Sequence, residues 1–139
     1  MRKERQAPLM IFVDTTAFYA LLDDRDESHD AAANVWAALA GRRDSLHTTN
    51  YIVVETTTLL QARLGVRAVR AFHDELLPVV QTHIVDSSLH EAGVDLLFSE
   101  SRRHLSLIDC SSFVFMRRSG IRRAFSFDRD FKHSGFELL

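Results

Sequence analysis

The feature that most constrains this chain is a wholly apolar run, Leu9-Met10-Ile11-Phe12-Val13, that stops abruptly on Asp14. An apolar run without alternation is the pattern of a parallel strand covered on both faces; a half-exposed strand would show a polar residue at every second place. Such a strand needs helical crossovers, and the chain supplies them. Asp14-Thr15-Thr16 caps a short helix through Leu22. Ser28 caps a second helix, with Ala32, Val35, Trp36 and Leu39 at helical spacing and Gly41 as its stop. Ser45 to Thr48 reads as a short strand, and Thr49 or Asn50 opens a helix from Tyr51 to Leu64, closed by Gly65. Val66 to Leu76 keeps helical spacing until Pro78 ends it. Val79 to Val85 is a strand by its β-branched residues. Ser87 or Ser88 begins a helix through Ser99, and Ser106 caps another to Arg118, punctuated by Gly120. Ala124 to Phe127 is a further buried strand, and Glu137 to Leu139 adds a short last one. The alternation predicts an α/β fold: three layers, α/β/α, around a mostly parallel central sheet.

At 139 residues there is room for one domain, expected over residues 9–139 with residues 1–8 as an N-terminal extension. A composition of 46% hydrophobic and 26% charged residues argues against disorder. The single cysteine, Cys110, excludes a disulfide framework and a Cys-rich zinc site, so the chain reads as intracellular. Arg2, Lys3 and Arg5 before the apolar run imitate a signal peptide. Asp14 interrupts that run, however, and Asp23-Asp24-Arg25-Asp26-Glu27 stands where a cleavage site needs small residues. No apolar run approaches the ~18 residues of a membrane span, so a cytoplasmic protein with no membrane partner is expected. The basic side chains are fifteen Arg against only Lys3 and Lys132. Arginine grips phosphates bidentately, which leans toward nucleic acid, but on charge alone solvated surface arginines are the simpler account of the bias.

Four acids stand out by position. Asp14 and Asp128 each follow a buried strand, at the carboxyl edge of a parallel sheet where ligands bind. Each is equally at home as a helix cap or turn former. Glu55 falls among Tyr51, Ile52, Thr58 and Leu59 on an otherwise apolar helix face. A carboxylate there must shift its pKa, find a partner, or sit at the edge of the stripe in solvent. Asp109 closes Ser106-Leu107-Ile108-Asp109, the form of a capping box, and is as well placed to enter a cleft. Three of them are expected at one edge of the sheet and Glu55 interrupts an apolar helix; brought together, the four carboxylates would repel by several kcal/mol unless a cation neutralises them. Hard oxygen donors without Cys or clustered His select Mg²⁺ or Mn²⁺ over zinc.

The segments Val13-Asp14-Thr15-Thr16-Ala17, Tyr51-Ile52-Val53-Val54-Glu55, Leu107-Ile108-Asp109-Cys110-Ser111 and Ser126-Phe127-Asp128-Arg129-Asp130-Phe131 resemble the acidic motifs of PIN domains. The likeness spans residues 9–139 and is closest to the VapC-type ribonuclease toxins of toxin–antitoxin modules. It implies that Asp14, Glu55, Asp109 and Asp128 bind divalent metal, with Ser126 and Thr15 in support and His29 structural. It implies an endoribonuclease hydrolysing RNA phosphodiester bonds. Glu55 would bind a second metal or act as general base, and Arg63, Arg117 or Arg129 would hold flanking phosphates. It also implies a homodimer and a cognate antitoxin that places a basic residue in the acidic site. Cys110 stands where the family carries a small residue and reads as a buried thiol. Asp130 is expected to cap the turn at 131–134 rather than to join the site. The alternative is a non-catalytic PIN-like nucleic-acid-binding or assembly module. A phosphorelay receiver fits poorly, because Asp14 is followed by Thr15 and not a second acid. A dehalogenase-type phosphatase fits poorly too, because Thr16 replaces its second aspartate.

Overall fold

The computed structural model describes residues 9–40 and 45–139; the extension 1–8 and the helix stop at Gly41 lie outside them. Among the described residues the strands are β1 (Met10–Val13), β2 (Ser45–Thr49), β3 (Gln81–His83), β4 (Arg123–Phe125) and β5 (Glu137–Leu138). All four strand pairs are parallel, in the order β3-β2-β1-β4-β5. The central strand β1 is therefore the apolar run that opened the sequence. Ile11, Phe12 and Val13 are fully buried on it, as covering on both faces requires.

The helices are α1 (Thr15–Leu22), α2 (His29–Ala40), α3 (Asn50–Arg63), α4 (Val66–Ala71), α5 (Ser87–Ser99), α6 (Leu107–Ser119) and α7 (Asp130–His133). Strand alternation divides the core between two helical layers. Phe12 faces α6, its ring 5.9 Å from Phe115, whereas Phe125 faces α2, its ring 6.5 Å from Trp36. His29 is structural as expected: its Nδ1 lies 2.8 Å from the Ala20 carbonyl oxygen and ties α2 to α1. α5 and α6 pack closely, because a Cβ on Gly93 would meet Ser111 Oγ at 2.4 Å. That contact sets the depth of α6 against its neighbour, and Asp109 rides in the first turn of α6.

Three boundaries differ from expectation. The helix after Gly65 widens after Ala71 into a π turn over Phe72–Leu76, which keeps Phe72 buried against Phe18 at 4.9 Å. The strand expected over 79–85 shrinks to Gln81–His83, because Leu77–Val79 forms a 3₁₀ turn around Pro78. As a short edge strand it leaves Val79 and Ile84 exposed. The strand expected over 124–127 ends at Phe125, because Ser126 turns to bond neighbouring acids. No helix among the described residues is long and apolar enough to cross a membrane.

Candidate active site

The strand order reverses direction between β1 and β4, which makes the crevice beyond their carboxyl ends the topological switch point of the sheet. Asp14 follows β1 directly, and Asp128 lies three residues beyond β4. Helices α3 and α6 begin from the same edge and bring Glu55 and Asp109 to it.

Asp14 is both a cap and a site residue. It is the N-cap of α1, and its Oδ2 accepts hydrogen bonds from Thr16 N at 3.3 Å, Thr16 Oγ1 at 2.8 Å and Ser126 Oγ at 2.9 Å. Burial pushes its carboxyl up to about 6 despite these donors, with the charge of Asp109 adding to the rise. Ser126 also accepts from the Asp128 amide at 3.0 Å, so one hydroxyl fixes two acids across the switch point. Asp128 Oδ1 accepts from the Asp130 amide at 2.9 Å.

Glu55 sits half-buried at the border of the stripe formed by Ile52, Thr56 and Leu60. Burial pushes its carboxyl up to about 7, reinforced by the charges of Asp14, Asp109 and Asp128. Those couplings bring the four acids into one electrostatic group. Asp109 completes the capping box with Ser106, its Oδ2 accepting from the Ser106 amide at 2.9 Å. Burial raises its carboxyl, the Ser106 hydrogen bonds oppose the rise, and Asp128 and Asp130 add to it.

The donor chemistry fits a hard divalent cation. Each aspartate engages one oxygen locally, while Asp14 Oδ1, Asp109 Oδ1 and Asp128 Oδ2 take no hydrogen bond among the described residues. Among those residues, no three acidic, His or Cys side chains already form a group able to hold a metal ion.

The supporting residues sort differently from expectation. The Thr15 side chain makes no hydrogen bond to the Asp14 carboxylate; its Oγ1 accepts from Thr56 Oγ1 at 3.0 Å and joins α1 to α3. The neighbour Thr16 takes the expected role, bonding Asp14 through its side chain and amide and accepting from the Phe127 amide at 2.9 Å. An N-cap aspartate accepts from the second or third residue of its helix, and that rule points to Thr16. Asp130 does not cap its turn. Its Oδ1 lies 3.0 Å from His104 Nε2 and 3.7 Å from an Arg102 guanidinium nitrogen, tying α7 to the segment before α6. Arg63 occupies the last turn of α3, about 12 Å along the helix from Glu55, and shares a cavity wall with it, while Arg129 follows Asp128 on an exposed position. Arg117 is not there: it occupies the last turn of α6, about 12 Å along the helix from Asp109, and donates to the Ser134 carbonyl. Cys110 is buried, and burial raises its thiol.

A family model for the PIN domain matches residues 11–137. The chain belongs to the PIN-domain family. It is 38% identical over 128 residues to the 23S rRNA-specific endonuclease VapC20 of Mycobacterium tuberculosis, covering 91% of this chain and 95% of the relative. The crystal structure of that VapC20, described as a sarcin–ricin loop cleaving toxin, superposes with a TM-score of 0.83 at 36% identity, covering 91% and 95% of the two chains. VapBC2 of Rickettsia felis, bound to a DNA fragment from its promoter, shares the fold alone. It has a TM-score of 0.70 at 9% identity and covers 94% and 98% of the two chains. Within the PIN-domain family the chain is thus of the VapC type.

Proposed function

We propose that this VapC-type protein is the toxin of a toxin–antitoxin pair, an endoribonuclease that uses Mg²⁺ or Mn²⁺ to hydrolyse an RNA phosphodiester. The observation that carries the reading is the electrostatic coupling of Glu55 to Asp14, Asp109 and Asp128 at the switch point, with no lysine or arginine paired to any of the four among the described residues. Carboxylates gathered without a basic partner are chemically suited to a divalent cation. The 38% identity to an rRNA endonuclease supports the same chemistry, and makes the sarcin–ricin loop of 23S rRNA the first substrate to test.

Asp14, Asp109 and Asp128 would hold the ion through the oxygens that their local hydrogen bonds leave over, with Glu55 as a fourth ligand or as the acceptor of the attacking water's proton. When bound, the ion supplies Lewis-acid activation of water and neutralises charge on the phosphoryl oxygens. Ser126 and Thr16 orient Asp14, and Ser126 aligns the backbone of Asp128. Arg129 would hold a phosphate flanking the scissile bond, whereas Arg63 lies over the Tyr19 ring in a wall that carries three carboxyl groups. An antitoxin side chain of opposite charge would silence the same four acids. A homodimer and a cytoplasmic location belong to this reading.

The test is cleavage of ribosomes and of a synthetic sarcin–ricin hairpin with Mg²⁺, with Mn²⁺ and in chelator, mapped to the nucleotide, for wild type and Asp14→Asn. Cleavage that needs the ion and Asp14 supports the proposal. RNA binding that never proceeds to cleavage would favour the non-catalytic module.

A further inference from the structure

A cavity of about 330 Å³ opens beside Glu55, lined among others by Thr16, Tyr19, Ser28, Arg63 and Phe127. Its volume lies at the low end for small-molecule pockets, about 300–1,000 Å³. It begins where the acids end, because Glu55 and Thr16 belong to its wall.

Phe127 is placed with care for a ring that is 36% exposed. Its amide donates to Thr16 Oγ1 at 2.9 Å, and its ring meets Phe125 edge-on at 6.2 Å and 66°. Ser126 and Asp128, on either side of it, are engaged at the acidic group. The ring is therefore held at the rim, one residue from a proposed ligand. On the other wall the Arg63 guanidinium lies 5.4 Å from the Tyr19 ring centroid. Aromatic faces beside an arginine plane are how proteins take up unstacked bases of single-stranded RNA.

Charge selects the base over the phosphate. Asp26 and Glu27 also line the cavity, so with Glu55 it carries three carboxyl groups against the one guanidinium of Arg63. A phosphate is repelled from that interior, whereas a neutral base with an exocyclic amino group finds acceptors there. Asp26 turns one oxygen back to the Ser28 amide at 2.8 Å, which fixes its orientation.

From this geometry we infer that the cavity is a subsite for one unstacked nucleobase next to the scissile phosphate, with Phe127 as its stacking platform and a preference for amino-bearing bases over uracil. The inference rests on the ribonuclease reading above.

The probe is a short single-stranded RNA carrying 2-aminopurine, bound in chelator so that no strand is cut. Wild type and Phe127→Tyr should quench its fluorescence, and Phe127→Leu should not, while melting like wild type because leucine still packs on Phe125. Poly(A) should compete better than poly(U). On an RNA that the wild type cuts, an abasic nucleotide walked past the cleaved bond should raise KM about 10-fold at one position, the scale of one lost base–aromatic stack. The same abasic RNA should make no difference to Phe127→Leu. Quenching that survives in Phe127→Leu, or equal abasic effects in both proteins, overturns the subsite. Cleavage by the wild type without Phe127-dependent quenching overturns the subsite and spares the ribonuclease reading. Phe127-dependent quenching by a protein that cuts no RNA does the reverse.

Discussion

Replacing Asp14 by asparagine tests whether these acids are gathered for a cation or for structure. The Asp14 carboxyl is raised from its ordinary 3.8 to about 6, chiefly by burial. At 1.36 kcal/mol per pH unit that difference amounts to about 3 kcal/mol between folded and unfolded chains. Because the folded value lies above the unfolded one, the stability is fully present below about pH 4 and is lost as pH rises through about 6. Asparagine is neutral throughout, and its oxygen still accepts from Thr16 and Ser126. In chelator, Asp14→Asn should match wild type near pH 4 and exceed it by up to about 3 kcal/mol at pH 8. For a chain of this length that is roughly 10 °C in melting temperature. Urea midpoints from pH 4 to pH 8 in chelator measure it, alongside cleavage assays in which the variant should be inactive. A variant less stable than wild type at every pH, with an unchanged pH slope, would make Asp14 a helix cap and refute the reasoning.

Mg²⁺ or Mn²⁺ at millimolar concentration should raise the melting temperature of wild type at pH 8 by mass action on the folded site, and Glu55→Gln should shrink that rise; a thermal scan with and without chelator reads it. Ser126→Ala should lower kcat about 100-fold, the scale of misplacing a preorganised electrostatic group, with a smaller loss of stability. Thr15→Val should behave oppositely, losing about 1–2 kcal/mol by stranding the Thr56 hydroxyl while keeping cleavage within about 3-fold. Asp128→Asn should cost at least ~100-fold in single-turnover rate, and Asp130→Asn less than ~10-fold but about 1 kcal/mol of stability, because its bonds are to His104 and Arg102. The reverse ranking would exchange the roles of those two acids.

Much of this was legible because local rules carried it. The unbroken apolar run forced a covered parallel strand, and Asp14, Asp109 and Asp128 stand near strand or helix ends where a parallel sheet collects its ligands. What escaped notice depended on contacts distant in sequence. The strand at 124–127 loses two residues because Ser126 leaves the ladder to bond Asp14, 112 residues away. Asp130 looked like a turn former because its partners, Arg102 and His104, are 28 and 26 positions earlier. Arg117 looked suitable by composition, yet a helix that starts at the acidic edge must carry its last turn away from it. Thr15 and Thr16 were separable in advance by cap geometry, which points to the second helical residue and passes over the first.

Capping by Asp14 and Asp109 leaves room for the ligating role proposed for them. A cap needs one carboxylate oxygen. Asp14 gives Oδ2 to Thr16 and Ser126, and Asp109 gives Oδ2 to Ser106. The second oxygen of each then has its direction set by the first, so the helix start acts as the orienting partner that a ligating carboxylate otherwise needs from a neighbour. The arrangement also reduces the side-chain freedom left to lose when a cation arrives. Glu55 has no such anchor in the middle of α3, and burial together with the charges of Asp14, Asp109 and Asp128 pushes its carboxyl up to about 7. Of the four, Glu55 is therefore the group whose position and protonation should respond most to the ion. Its substitution by glutamine should accordingly alter the pH dependence of cleavage more than substitution of the capped aspartates alters its shape, and pH–rate profiles of residual activity would show whether it does.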